Sequence, residues 1–442
     1  MISVKKQLET DIVGGNQNIL DVYNRNYFEP LFWAPFKNNL NVIRGGGVFT
    51  YERASTGTYL DPVTGYIKTA AIDTPRFERT GLLLEGESTN RLLYSNDFTN
   101  AVWTKSNSSV LTDGTLSPDG SSLAYKFIES VDATSTITHS IQQSLSWTAN
   151  RTETLSLFVK PGTNGRHIYI GFPAAAWGDA TVRRIAVNIK TGSVVWYGGS
   201  GISSKITKYN NNWLKLEITA TPSVTTTGSI LYVLTKNDTL DTTYQGDGVS
   251  YIYIAFAQQE SSKLSTSYIP TTSAAVPRYA DKLYIPAKEN ILAQMNDQTI
   301  VFDVDSNTKN GNIIQTMLAV DSETSRKFRL NNYDSTTFGN RPEYTFGSNT
   351  YVGNKNTDFT KPTRIVIRNI VKNNYGEITI FENKNIVYQT EFGKSYSTLS
   401  SIIGNNLIFG AEDINGLNSL FGHISNVRIY DKAFTNEEIF LL

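Results

Sequence analysis

The chain contains no cysteine, which excludes disulfides, thiolate zinc sites and cysteine nucleophiles together. Its stability must come from packing or from association with other chains. Methionine is scarce, and apolar residues make up only 39% of the sequence, below the about 45–50% usual for a globular chain. Neither sign of charge is in excess: 40 basic residues face 40 acidic ones. Nucleic acid and anionic membrane therefore have no electrostatic claim as partners. No stretch approaches the roughly 18 apolar residues of a membrane helix, the densest run being Leu31-Phe32-Trp33-Ala34-Pro35-Phe36, and no membrane insertion is expected. The N-terminus lacks the apolar core of about 7–15 residues found in a signal peptide, so the chain is expected to be made and kept in a cytoplasm.

What is abundant is Ser, Thr, Asn, Gly and Tyr, the composition of thin sheets rather than thick helical cores. A length of 442 residues exceeds what one core supports and implies two or three domains. In residues 1–35, Ile19, Leu20, Val22, Tyr23, Tyr27 and Phe28 could line one face of a short helix. Such a face needs a partner, either this chain's own sheets or a neighbouring protein. From Gly45 onward the pattern is β, with short alternating runs bounded by turn residues, His167–Phe172 and Lys327–Leu330 among them, and with Asp61-Pro62-Val63-Thr64-Gly65 as a turn between Thr58–Leu60 and Tyr66–Lys68. In Trp213-Leu214-Lys215-Leu216-Glu217-Ile218, the apolar and charged residues point to opposite faces. A stretch punctuated by Pro270, Pro277 and Pro286 reads as a connection between domains, and a second strand-rich region follows. There, Gly376–Glu382 and Ile386–Gln389, joined by Asn383-Lys384-Asn385, have the form of a hairpin. Thr435-Asn436-Glu437-Glu438 is a capping box that predicts one terminal helical turn. No fixed-period repeat or heptad run occurs.

Several blocks resemble a known family. They are the segments containing Tyr51-Glu52-Arg53-Ala54, Thr74-Pro75-Arg76-Phe77 and Leu84-Glu85-Gly86-Glu87-Ser88-Thr89-Asn90, then Leu93-Tyr94-Ser95-Asn96-Asp97-Phe98 with Trp103, then Gln258-Gln259-Glu260, Thr266–Thr271 and Arg278-Tyr279-Ala280-Asp281. Together they resemble a module of phage-encoded structural proteins that leads into a jelly-roll domain. The run from Leu420 to Thr435, followed by Glu437-Glu438-Ile439, is similar to the last strand and exit of a concanavalin-like, laminin-G-type sandwich, with Ile424, Val427 and Ile429 turned inward.

Searching for chemistry leaves little that is catalytic. His139, His167 and His423 lie far apart in sequence, and no zinc-protease, Gly-x-Ser-x-Gly or phosphate-loop pattern occurs. The Glu-x-Asp-x-x-Glu strand of concanavalin-like glucanases is missing as well. Asp303 and Asp305, and with them Glu412-Asp413, are the candidates for a calcium site, with polar strand ends as the alternative; no other cofactor is expected. The chain carries 51 aromatic residues (6 Trp, 24 Tyr, 21 Phe), more than thin sandwiches need for their cores. Rings stack on the apolar faces of sugars, which makes Trp177 with Asp179, and Trp196 with Tyr197, the candidates for glycan contact, Trp177 being expected on a loop surface among small residues. Asn210-Asn211-Asn212-Trp213 is a further candidate, although Trp213 opens an alternating strand and reads as core.

The expectation is an all-β chain with two tandem antiparallel β-sandwich domains, jelly-roll and concanavalin-like, behind an N-terminal docking segment. The boundaries are 1–35 for docking, 36–92 for a β-rich connecting module, 93–285 for the jelly roll and 290–442 for an independently folding second sandwich. The resemblance implies a non-enzymatic virion protein, a fibre or capsid decoration subunit exposed on the particle surface. It implies a homotrimer, docking to other virion proteins through the N-terminal segment, and contact with host surface glycans. A tail-tip receptor-binding protein and a glycan depolymerase are the alternatives.

Overall fold

The computed structural model describes residues 28–442 except 180, 237–240, 291–296, 307–314, 321–330, 336–338, 347–348, 353–359, 373–374 and 393–404. Every strand pairing among the described residues is antiparallel, and Asn436–Ile439 is a single helical turn. The predicted helical face at Ile19–Tyr27 and the strand expected at Lys327–Leu330 lie outside the described residues.

The first sandwich consists of two six-stranded sheets. The front sheet runs, in spatial order, Ile202–Lys208, Leu214–Ala220, Glu153–Lys160, Tyr251–Glu260, Tyr125–Glu129 and Ser108–Leu111. The back sheet runs Ser193–Gly198, Arg183–Asn188, His167–Phe172, Thr226–Thr235, Ser140–Trp147 and Thr104–Ser106. Alternation explains the core between them. Leu155, Leu157 and Val159 from one sheet meet Ile168, Ile170 and Phe172 from the other, all essentially without solvent contact.

The second sandwich draws on both ends of the sequence. Its broad sheet orders Asn385–Phe392, Tyr375–Glu382, Thr363–Lys372, Gln298–Ser306, Gly422–Tyr430, Gly81–Leu84 and Arg76–Glu78, with Phe32–Ala34 also paired to Gly422–Tyr430. Its narrow sheet orders Thr50–Glu52, Lys282–Ile285, Leu407–Phe409 and Leu318–Val320. Phe32, Phe36 and Leu82 share one core with Phe302, Ile367 and Val427. The expected boundaries at 35, 92 and 290 therefore do not follow the sheets: residues 32–84 are neither free docking segment nor connector, and residues 290–442 do not make the sandwich alone. Strands more than 340 residues apart pair, and no local periodicity records that.

The first sandwich is thus an insertion into the second. Chain leaves through Ser88–Asn90 and returns through Val276–Arg278, and these two strands pair with each other. The Pro-rich connection is in this way an ordered two-stranded neck.

Two local expectations are met. The hairpin is present, its turn one residue shorter than expected because Asn385 pairs with Glu382, and Asn383 and Lys384 stand at φ 45° and 72°, as a two-residue turn between twisted strands requires. Thr435 caps the final turn, its hydroxyl accepting from the Glu438 N–H while the Glu438 carboxylate accepts from the Thr435 N–H at 2.7 Å.

Candidate functional site

The family-like blocks converge on one buried ion cluster where the neck meets the second sandwich. Arg76 donates to Glu85 at 2.8 Å and to Asp281 at 2.5 Å, Arg53 holds Asp281 at 3.1 Å, and Arg278 lies 3.7 Å from Glu85. The Tyr51 hydroxyl also bonds Asp281. All five charged side chains are at most 2% exposed. Burial works against the charge of Glu85, but Arg278, Arg76 and the hydrogen bonds from Ser267 outweigh it and hold the carboxyl at about 2. Ser267 belongs to the closing segment of the first sandwich, so the cluster ties the two bodies together. Its charges are paired within the protein, Glu85 reaching the lining of the neighbouring cleft, and its chemistry is structural.

Beside this cluster a cleft of about 190 Å³ opens between the sandwiches, lined among others by Tyr59, Glu78, Lys208, Tyr209, Glu217 and His423. The His423 ring donates from Nδ1 to Asp305 at 2.7 Å and from Nε2 to Glu78 at 3.2 Å. Burial disfavours the imidazolium, yet the hydrogen bonds and charges of Asp305 and Glu78 prevail and raise its pKa to about 10. Lys215 donates to the Thr266 carbonyl at 3.0 Å and pairs with Glu217 at 3.5 Å.

The calcium candidates take another role. Asp303 receives the Arg364 guanidinium at 2.7 and 2.9 Å and the Asn426 amide at 3.0 Å, while Asp305 holds His423. Each carboxylate is occupied by a partner of its own chain, whereas calcium takes about 6–8 oxygens. Among the described residues no group of three or more His, Asp or Glu side chains is arranged to hold a metal.

Of the glycan candidates, Trp177 is corrected: expected on a loop surface, it is 6% exposed and packs 5.7 Å from Phe172 in the core of the first sandwich. Its remaining face carries the Arg183 guanidinium at 5.2 Å, which Asp179 in turn holds at 2.8 Å. Small neighbours (Ala174, Ala175, Ala176, Gly178) suggested a loop; they are what lets a large ring turn inward. Asn210 and Asn211 donate to the Thr64 carbonyl and the Tyr66 hydroxyl, docking the Gly57–Leu60 and Ile67–Ala70 hairpin, and Trp213 is core.

Trp196 and Tyr197 sit on opposite faces of one edge strand. Tyr197 is 51% exposed and bonds Ser204 across the sandwich edge at 2.8 Å. Trp196 is half-buried on the outer face of the back sheet, edge-on to Tyr169 at 5.4 Å and beside Ala186 and Val233. Its six-membered ring crosses Gly198 so closely that a methyl there would stand 2.1 Å from it. Directly paired with Gly198 is Arg184, whose own opposite partner is Gly171; a methyl at Gly171 would stand 2.3 Å from the Arg184 stem. Aromatic rings, a guanidinium and two glycines thus form a shallow platform, the surface among these candidates best shaped for a sugar. Sequence reasoning missed Tyr169 and Arg184, whose place beside Trp196 depends on strand register.

No family model matches the chain, and no curated protein matches it. Among solved structures it is similar to domain 4 of an extracellular arabinanase from Geobacillus stearothermophilus (12% identity, 40% of this chain and 80% of the other, TM-score 0.28). It is also similar to the carbohydrate-binding module of a Ruminococcus gnavus sialidase (17%, 34% and 84%, TM-score 0.28) and to the paired laminin-G domains of mouse laminin α1 (10%, 80% and 92%, TM-score 0.23). The chain itself is an all-β protein of antiparallel sandwiches; likenesses this distant add nothing about ligand or activity.

Proposed function

We propose that the chain is a non-catalytic structural subunit of a phage particle, a fibre or decoration protein, that touches host surface glycans through the Trp196 platform. The observation carrying the glycan contact is the indole of Trp196 held over Gly198 by Tyr169, a ring fixed in place on a solvent-facing sheet. The virion assignment rests on the sequence resemblance. Its blocks form a buried ionic joint, which suits a part that must stay rigid. A non-catalytic role is supported in the cleft: acid–base catalysis wants a pKa near the working pH, whereas Glu85 and His423 are held at about 2 and about 10. A host-glycan array probed with wild type and Trp196→Ala tests the contact. Micromolar binding that the substitution abolishes is expected; equal signals from both proteins would sink the platform. New reducing ends on incubation with host polysaccharide would instead establish the depolymerase alternative. The homotrimer is part of the same proposal, and a monomer by light scattering at micromolar concentration would refute it.

A further inference from the structure

We infer that the Trp196 platform selects a sugar acid, and that Arg184 makes the selection by pairing with the ligand's carboxylate. This rests on the glycan-contact reading and adds the charge of the ligand. Four arginines lie between residues 93 and 275. Arg151 holds Glu153 at 2.7 Å, Arg166 holds Glu129 at 2.6 Å and Arg183 holds Asp179 at 2.8 Å. Arg184 differs from all three in having no carboxylate partner among the described residues, and its Nε, like that of Arg183, is shut off from solvent with no acceptor. A guanidinium remains charged at neutral pH whatever its surroundings, and a partly desolvated charge without a partner is costly. Evolution elsewhere in this sandwich supplies the carboxylate from the chain; here the anion is left to come from outside.

The geometry fits that role. Gly171 and Gly198 flank Arg184 on the adjacent strands, its stem lying over Gly171 and the indole crossing Gly198, with Tyr169 beside both. Neighbouring strands are about 4.8 Å apart, roughly the width of a pyranose ring. A sugar lying with its apolar face on Trp196 can therefore present an equatorial carboxylate to the planar fork of Arg184, which matches such a group with two parallel hydrogen bonds. A neutral sugar would stack equally well but leave the guanidinium unpaired.

An array of bacterial surface polysaccharides, each printed in native and carboxyl-reduced form, tests this with wild type, Arg184→Gln and Trp196→Ala. Wild type is expected to bind uronic-acid polymers about ten-fold more strongly than their reduced forms, the scale of one charge-assisted hydrogen bond. Arg184→Gln should erase that preference while keeping the weaker neutral binding, and should melt at the wild-type temperature because no internal partner is lost. A preference that survives Arg184→Gln, equal binding of native and reduced forms, or binding confined to phosphodiester polymers overturns the inference and leaves the platform standing. Signals that Trp196→Ala does not alter overturn the platform itself, and the inference with it.

Discussion

Val427 has no solvent exposure, whereas its neighbour Arg428 is half-buried on the other face of the same strand. Ile424, Val427 and Ile429 all enter one core, although strict alternation would send residues three apart to opposite faces. The reconciliation is Asn426, which adopts φ 56° at a register shift opposite Val301 and Asp303. That extra residue is a β-bulge, and it turns the strand's second half back inward. Replacing Val427 with Asp should therefore bury an uncompensated charge and cost about 3–5 kcal/mol, a large part of a typical domain's stability. Arg428→Ser should cost about 1 kcal/mol or less. Thermal melts of the two variants decide it, and equally mild effects would refute the register. His423 makes a pH prediction. Its folded pKa of about 10 lies above the ordinary 6.5, so its stabilisation is complete below pH 6.5 and is lost as pH rises toward 10. Denaturation midpoints of wild type and His423→Gln, compared across that window, should converge with increasing pH; a constant gap would show that the imidazolium is not clamped.

At the scale of elements, the individual strands were largely legible. His167–Phe172 begins where period-two alternation and turn residues put it, because those signals are local. The long strand Ser140–Trp147 was not read, since Ser and Gln at most of its positions carry no apolar alternation; nor were Ser193–Gly198 and Ile202–Lys208, the edge strands that carry Trp196 and border the cleft. Pairing was legible only where a short turn joins two strands, in the hairpin at Asn383 and in the one around Asp61–Gly65. The consequence is testable with fragments. Residues 290–442 lack Gly81–Leu84, Phe32–Ala34, Thr50–Glu52 and Lys282–Ile285, which flank their strands, and should give no cooperative melt. Residues 88–278 contain both complete six-stranded sheets and the neck, and should unfold cooperatively. The reverse result would mean that the second sandwich holds together without its N-terminal strands.

For the whole molecule, nesting decides which end faces which way. Phe28 packs on Phe434 at 5.4 Å, beside the C-terminal turn and on the outer face of the second sandwich. If residues 1–27 dock the protein to its virion neighbour, the inserted first sandwich with its Trp196 platform is the outward end. Deleting residues 1–27 should leave the melting curve unchanged and abolish incorporation into particles, as measured by their protein content; normal incorporation would refute the docking role. Deleting through residue 35 should in addition destabilise the fold, because Phe32 and Ala34 are core and pair with Ile429 and Val427. The sequence by itself determined the all-β class, the capped end, the hairpin and a shortage of catalytic motifs, since composition, period and turn chemistry act over a few residues. Only the tertiary structure decided that the sandwiches are nested, that Trp177 is core while Trp196 is surface, and that Arg53, Arg76, Glu85, Arg278 and Asp281 meet. Those outcomes depend on which distant strands pair and in what register, and that is settled by the burial of apolar faces and the neutralisation of charges across the whole chain at once.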